Sequence, residues 1–166
     1  EEMEKMMSKS KCEWKKLGEI CEDIPSSKTV TGKLYKPGEF NYYSCSREIQ
    51  TCDKYDYEIT CLLHGSRGST ISESIFYNEN NKFSLGNSVF ISKSRENDNL
   101  KFIYYYLKIN HVSAFSNKIT GGGIPMISKG DYYKIQVPIP TIEVQNQVVQ
   151  ILDDLAEQKQ LLSDRK

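Results

Sequence analysis

The sequence contains little of what catalysis or metal binding requires. Only two histidines, His64 and His111, occur among its 166 residues, which is too few for a histidine-rich metal centre. The patterns G-x-S-x-G, H-E-x-x-H, P-loop and G-x-G-x-x-G are absent, and so is the Asn-Pro-Pro element typical of amino-methyltransferases. We therefore predict no catalytic activity, no metal site and no cofactor in this chain.

The cysteines also lack the arrangement that a disulfide framework or a zinc site needs. Their number is odd, and no two of them form a C-x-x-C pair. Reduced thiols in a cytosolic protein are the better interpretation of such a set. The five are Cys12, Cys21, Cys45, Cys52 and Cys61.

Long hydrophobic runs are absent as well. No stretch approaches the roughly 18 apolar residues of a membrane-spanning helix, and the charged start does not resemble a signal peptide. Hydrophobic residues make up 38% of the chain and charged residues 27%, which is ordinary for a folded domain. We predict a cytoplasmic protein without a membrane partner, with one domain plus an appendage.

An excess of positive charge is missing too, since 22 basic residues face 22 acidic ones. A protein that coats DNA through its phosphates alone is normally strongly basic, so the balance argues against that mode of binding. The charge is uneven, however, because residues 26–47 contain four basic side chains and only one acid, Glu39. A local patch of this kind leaves sequence-specific DNA binding open.

Runs of β-forming residues occupy the middle of the chain, separated by short turn-forming stretches. Such short spacing favours an antiparallel or mixed sheet over repeated βαβ units. The predicted strands are residues 58–64, 71–77 and 88–92.

Helical spacing appears on both sides of this region. Trp14, Leu17 and Ile20 predict a short helix near the start. An apolar stripe at intervals of three and four residues predicts an amphipathic helix over residues 100–107, capped by Asn97 or Asp98. Further along, Ser128 is expected to cap a one-turn helix carrying Tyr132 and Tyr133, and residues 134–138 are expected to form an edge strand.

The last segment, from Thr141 onward, is helical in pattern throughout. Its apolar residues recur at alternating steps of four and three, which is the seam of a coiled coil. A helix of this kind predicts pairing with another helix, and the alternative is a helix that lies on its own domain. The predicted pairing residues are Val144, Val148, Ile151, Leu155 and Leu162, with Gln158 as the one polar member of the seam.

Several polar loops carry side chains suited to contacting DNA. Arginine and lysine donate to guanine edges, and serine and threonine contact bases or phosphates. The candidates are Lys33 and Tyr35, Arg47 in the segment 42–47, His64, Arg67 and Ser69 around the first glycine element, and Lys118 and Thr120 before the glycine triplet.

Sequence elements in a fixed order make the chain similar to the target-recognition half of a type I restriction-modification specificity subunit. The most specific is residues 135–145 (IQVPIPTIEVQ), a strand with two prolines that leads into a helix with an early glutamine. The others, in chain order, are residues 13–20 (EWKKLGEI), 62–68 (LLHGSRG), the helix over 100–107, 120–125 (TGGGIP) and 151–153 (ILD).

The resemblance implies a mixed α/β domain similar to the DNA-recognition domain of the TaqI-type adenine methyltransferase, followed by a long coiled-coil-type helix. In a full specificity subunit, long antiparallel helices separate two such domains, and each domain recognises one half of a bipartite target. The methyltransferase subunits dock on the helices and carry the S-adenosylmethionine chemistry.

The resemblance also implies a division of this chain and a set of partners. Residues 1–10 correspond to the end of a preceding helix, 11–140 to the recognition domain and 141–166 to the spacer or dimerisation helix. The expected partners are double-stranded DNA, a methyltransferase subunit, a restriction subunit indirectly, and a second copy through the C-terminal helix. Whether the chain is a natural half-subunit or a fragment of a two-domain subunit stays open.

A second hypothesis belongs to another class of protein. The chain would keep this fold as a helix-mediated assembly or regulatory protein without recognising DNA. The zero net charge favours this alternative.

Overall fold

A computed structural model describes residues 1, 5, 9, 11–25 and 36–165. Ten strands and five helices lie in this part of the chain. Eight of the strands form two four-stranded sheets, which stack with the helices in three layers. The mixed α/β class predicted from the sequence is confirmed. The candidate DNA contacts Lys33 and Tyr35, and most of the predicted helical segment 1–10, lie outside the described residues.

The middle layer is built around a strand that is buried on both faces. All five residues of β6 (Cys61–Gly65) are buried, and His64 is the one polar side chain among them. Because side chains alternate along a strand, Leu62 packs in the core on the helix side, whereas Cys61 and Leu63 pack in the core between the two sheets. The antiparallel sheet has the order β2 (Cys21–Asp23), β9 (Val89–Ser94), β6 (Cys61–Gly65) and β7 (Ile75–Asn78).

The outer sheet is mixed. Its strands β3 and β8 are parallel, and its other pairings are antiparallel. Aromatic rings fill the space between the sheets, with Tyr43 in contact with both Phe76 and Phe83 at centroid distances of 5.3 and 5.4 Å. The order is β4 (Gln50–Cys52), β3 (Phe40–Tyr43), β8 (Lys82–Leu85) and β5 (Tyr57–Glu58).

The helices cover the opposite face of the middle sheet. Asn99 caps α2 by accepting hydrogen bonds from the amides of Lys101 and Phe102, so the predicted cap at Asn97 or Asp98 is wrong by one or two positions. The cap predicted at Ser128 is confirmed, because its side chain accepts from the Asp131 amide. The helices are α1 (Leu17–Ile20), α2 (Leu100–Ile109), α3 (His111–Ala114), α4 (Lys129–Tyr133) and α5 (Ile142–Ser163).

The predicted strands agree with the structure in part. The run at 88–92 corresponds to β9. The run at 58–64, predicted as one strand, overlaps the end of β5 and most of β6, which are separated by residues 59–60. Only the end of the run at 71–77 is a strand, because residues 70–73 form turns. Strands β2, β3, β4 and β8 were not predicted.

A two-stranded sheet joins the first described strand to the last. β1 (Glu13–Lys16) pairs antiparallel with β10 (Gln136–Ile139), and Trp14 stands opposite Pro138. The edge strand predicted at 134–138 is confirmed in part, because the strand spans Gln136–Ile139. It pairs on one side only, where a proline without an amide donor is tolerated. Trp14 was expected in a short helix and lies instead in β1, while Leu17 and Ile20 form α1.

Helix α5 is attached to the domain through a buried glutamine. Gln145 is 1% exposed. Its Nε2 donates to Asp98 Oδ1 at 3.0 Å and to the Pro140 carbonyl at 2.9 Å, and its Oε1 accepts from the Asn99 amide at 2.8 Å. One side chain therefore links the start of α5 to the cap of α2 and to the end of the proline strand.

The two halves of α5 have different surroundings. Val148 is 1% exposed and packs in the core of its own domain, with Val144 and Leu152 partly buried beside it. The prediction that Val148 pairs with another helix is therefore wrong, because its side chain is already covered. From residue 154 onward the described helix is exposed, and Leu155 and Leu162 have 55% and 64% of their surface accessible.

His64 is a core residue. Its exposed fraction is 0%, its Nε2 lies 3.0 Å from the Ile71 carbonyl oxygen, and its ring stacks between Phe115 and Tyr132 at centroid distances of 5.0 and 5.2 Å. The prediction that His64 contacts DNA is wrong, because no face of the ring is open. Desolvation by burial lowers the pKa of His64 to about 4, so the ring is neutral at physiological pH.

We predict that Gln145→Ala lowers the free energy of unfolding by about 2 kcal/mol, because it leaves the buried Pro140 carbonyl and Asn99 amide without this partner. Urea denaturation measures the change. Gln147→Ala is the matched control at an exposed position of the same helix. Equal losses in both variants would contradict the assigned role of Gln145.

We predict that His64 makes stability depend on pH. Its pKa in the folded protein is about 4 against an ordinary value of 6.5, so the unfolded chain binds the proton more readily. The stabilisation is complete above pH 6.5 and declines as the pH falls toward 4, by about 2 kcal/mol between pH 7.5 and 5.

His64→Phe removes this titration and retains the stacking. Urea midpoints at pH 7.5 and 5 should therefore differ less for His64→Phe than for the unsubstituted chain. His111→Gln is the control, since His111 is only partly buried and lies outside the stacked cluster. An unchanged pH difference in His64→Phe would refute the assignment.

Candidate DNA interface

Three segments that are distant in sequence meet at one end of the middle sheet. The central one follows β6 directly, over residues 66–70. The Thr70 hydroxyl donates to the Cys45 carbonyl at 2.7 Å, and the Gly68 amide donates to the Pro125 carbonyl at 2.8 Å. The segment 44–48 and the glycine-triplet loop are thus both fixed to the same short stretch of backbone.

Gly65 allows the first of these contacts. A Cβ atom at this position would lie 2.8 Å from Cys45 Cα, closer than real Cβ contacts. The segment 44–48 can therefore cross the end of β6 only where a side chain is absent. Cys45 and Ser66 also converge on the carbonyl of Ser88, which accepts from the Cys45 thiol at 3.3 Å and from the Ser66 hydroxyl at 2.7 Å.

The glycine-triplet loop has a fixed base and an exposed tip. Thr120 and Met126 exchange backbone hydrogen bonds of 2.7 and 2.8 Å across its base. Gly121 has φ of +103°, and a Cβ there would collide with the Ile124 carbonyl oxygen, so glycine is required. Gly122 and Gly123 have no neighbours within 4 Å of a Cβ position and are open to the approach of another molecule.

Most of the predicted DNA contacts in the described segments come together here. Arg67, Ser69 and Thr120 are exposed, and Met126 forms isolated β-bridges with both Arg67 and Thr120. Arg47 is exposed on the segment 44–48, beside the contact between Cys45 and Thr70. These four side chains, with the loop tip, form what we call the loop surface.

Lys118 has a different location. It is partly buried and lines a cavity of about 280 Å³ together with Trp14, Tyr106 and Gln136. Trp14 is 60% exposed and meets Tyr106 edge to face at a centroid distance of 6.3 Å. Lys118 therefore borders the loop surface through its neighbour Thr120 but also lines this aromatic cavity.

Two features of the surface were not predicted from the sequence. Glu73 forms an ion pair with Arg47, with Glu73 Oε2 3.1 Å from Arg47 Nε. Ile124 and Met126 are apolar but have 66% and 47% of their surface exposed. No sequence signal connects Glu73 to Arg47, because the two residues are 26 positions apart in the chain. By contrast, a hydrophobic residue inside a glycine-rich loop, as at Ile124, is a local signal of an exposed apolar side chain.

Metal binding finds no support in the structure. Within residues 11–25 and 36–165, no group of three or more histidine, cysteine or acidic side chains could hold a metal ion. All five cysteines are free thiols. Desolvation raises the pKa of Cys21 and of Cys61 to about 12, so these two thiols are neutral and part of the core. Among the described helices, none is long and apolar enough to cross a membrane.

Comparison with known proteins gives a consistent result. A 28% identity over 155 residues, covering 92% of this chain and 40% of the relative, links it to a protein of Haemophilus influenzae provisionally named type I restriction enzyme specificity subunit S.HindORF215P. The fold is similar to the crystal structure of a type I restriction-modification S subunit from M. genitalium, with a TM-score of 0.77 and 17% identity over 94% of this chain and 42% of that one.

A second solved structure, the HsdS subunit of Thermoanaerobacter tengcongensis, matches with a TM-score of 0.63 and 17% identity, covering 99% of this chain and 44% of that one. The chain thus spans less than half the length of these relatives. Residues 9–166 match the family model described as the type I restriction modification DNA specificity domain. The chain belongs to the family of type I restriction-modification DNA specificity domains.

Proposed function

We propose that this chain recognises a DNA sequence, as one target-recognition unit of a type I specificity subunit. The observation that carries the proposal is the convergence of three separate polar segments on the end of β6, where Arg67, Ser69 and Thr120 are exposed together. Family membership supports it, since the matched family is described as a DNA specificity domain.

The chemistry of the loop surface suits base recognition. Arginine donates two parallel hydrogen bonds to a guanine edge, and serine and threonine hydroxyls both donate and accept. Backbone hydrogen bonds hold the segments that carry these side chains, so little conformational freedom is lost on binding. Exposed glycines at positions 122 and 123 allow the backbone to approach DNA closely.

The zero net charge limits how strongly one such unit holds DNA through phosphates. Under this proposal, a second recognition unit and a methyltransferase subunit supply the rest of the binding energy. The bipartite target, the indirect contact with a restriction subunit, the cytoplasmic location and the similarity to the TaqI-type recognition domain belong to the same proposal. Catalysis, with its cofactor, resides in the partner subunits.

The outer half of α5 supports a pairing role. Leu155 and Leu162 are exposed on a helix that has already left its own domain, and an apolar seam of this kind is stabilised by a second helix. We propose that Ile151, Leu155 and Leu162 pair with the same helix of a second copy. A two-fold axis would then place two recognition units on a palindromic, interrupted site.

A second candidate function is assembly or regulation through α5 without DNA recognition. The balanced charge is the observation that favours it. The two candidate functions predict different results in a selection from random-sequence duplexes. Assembly without DNA recognition predicts that no sequence is enriched.

We predict that Arg67→Ala and Lys118→Ala each weaken binding to the selected DNA sequence by roughly tenfold or more, because each removes a cationic contact worth about 1–3 kcal/mol. Fluorescence anisotropy measures the affinity. Lys82→Ala is the control, since Lys82 lies at the far end of β8 from the loop surface. Unchanged affinity in Arg67→Ala, with folding intact, would remove the loop surface from the proposal, and unchanged affinity in Lys118→Ala would remove Lys118, which borders that surface.

We predict that Leu155→Lys converts a dimer into a monomer, because it places a charge in the apolar seam. Analytical ultracentrifugation at high micromolar concentration measures the mass. Glu157→Lys is the control at an exposed position outside the seam. If the unsubstituted chain is already a monomer at that concentration, the pairing proposal fails.

A further inference from the structure

Arg47 on the loop surface is held by an acidic partner. Its Nε lies 3.1 Å from Glu73 Oε2, and its Nη2 donates to Glu73 Oε1 at 3.4 Å. The carboxylate therefore faces one edge of the planar guanidinium, the edge formed by Nε and Nη2. Both side chains are about half exposed or more, at 60% and 46%, so the pair lies at the surface.

The neighbouring edge, at the end of the guanidinium, is not used in the contact with Glu73. It consists of Nη1 and the second N–H of Nη2, which together form a parallel pair of donors. A pair of this geometry matches the O6 and N7 acceptors of guanine in the major groove. The contact with Glu73 thus fixes the plane of Arg47 and leaves the pair of donors that bidentate recognition uses.

Both members of the pair are attached to the same frame. The Glu73 amide donates to the Thr70 carbonyl at 2.9 Å, and the Glu73 carbonyl accepts from Lys108 Nζ at 2.9 Å. The Thr70 hydroxyl in turn donates to the Cys45 carbonyl, two residues before Arg47. The backbone of both partners is therefore fixed relative to β6, and a long arginine side chain loses freedom before DNA arrives.

The negative charge of Glu73 disfavours a phosphate as the partner of Arg47. A phosphate beside Arg47 would be repelled by the nearby carboxylate, whereas the acceptor edge of guanine is uncharged. We propose that Arg47 recognises a guanine and that Glu73 is the positioning residue that holds its guanidinium in the plane required. This inference rests on the proposed function, since it assigns one base contact within it.

The test begins with the unsubstituted chain assembled with its methyltransferase subunit, because under the proposed function that subunit supplies part of the binding energy. Selection from a randomised duplex library gives the preferred sequence, and duplexes with single base-pair changes then give the affinity at each position. We expect one G·C pair at which Arg47→Ala, Arg47→Lys and Glu73→Gln all lower the preference for guanine, by roughly 5- to 100-fold. Arg47→Lys keeps the charge but not the planar pair of donors.

The affinity for unrelated DNA distinguishes a positioning role of Glu73 from a general effect of its negative charge. Glu73→Gln removes a negative charge, so binding to unrelated DNA should stay equal or rise while discrimination at the G·C pair falls. Glu48→Gln is the matched control, because it removes one negative charge from an exposed position of the same segment. It should leave discrimination unchanged, and thermal denaturation should show all variants folded.

Failure of the proposed function and failure of the inference about Arg47 and Glu73 give different results. No enriched sequence in the selection would overturn the proposed function itself. An enriched sequence in which Glu73→Gln raises the affinity for all duplexes alike, with discrimination intact, would overturn the positioning role and indicate that Arg47 contacts phosphate. A preferred duplex sequence that contains no G·C pair would overturn the assignment of guanine to Arg47 and would leave the proposed function unaffected.

Discussion

The burial of β6 on both faces is the constraint on which the loop surface depends. Cys61 and Leu63 contribute to the core between the sheets, and Leu62 to the core beneath the helices, so the strand cannot shift without disturbing two cores. Its last residue, Gly65, leads directly into the segment that fixes the other two loops. The positions of the exposed polar side chains therefore depend on a strand that is buried on both faces.

Buried contacts also fix the start of α5, the helix that leaves the domain. Gln145 replaces three hydrogen bonds that water would otherwise provide, and Val148 and Val149 pack beside it in the core. Further along, Asp153 accepts from Lys101 Nζ at 2.9 Å and from the Tyr105 hydroxyl. About one face of the first three turns is thus held against α2, and the direction of the exposed half follows from those contacts. The domain that carries the loop surface and the exposed half of α5 are therefore connected by packed side chains.

Local signals in the sequence predicted the elements they control. The apolar stripe of α2, the Ser128 cap and the proline strand all depend on residues within a few positions, and the structure confirms them. Strand β8 was missed because its pairing is set by β3, about forty residues away. His64 was misassigned because its burial depends on rings from Phe115 and Tyr132. The residues next to His64 in the sequence contain no signal for these distant contacts. The pairing of Glu73 with Arg47 could not be predicted for the same reason.

The antiparallel pairing of β1 with β10 has a consequence for how such a domain can change. β1 lies at the start of the domain and β10 at its end, and the two strands pair in a two-stranded stem. In topological terms, the segment between them is therefore a single insertion into that stem. Loops at the far end of β6 can gain, lose or replace residues without altering the spacing of that stem or the path of α5. Under the proposed function, target preference and the pairing of α5 are therefore free to change independently.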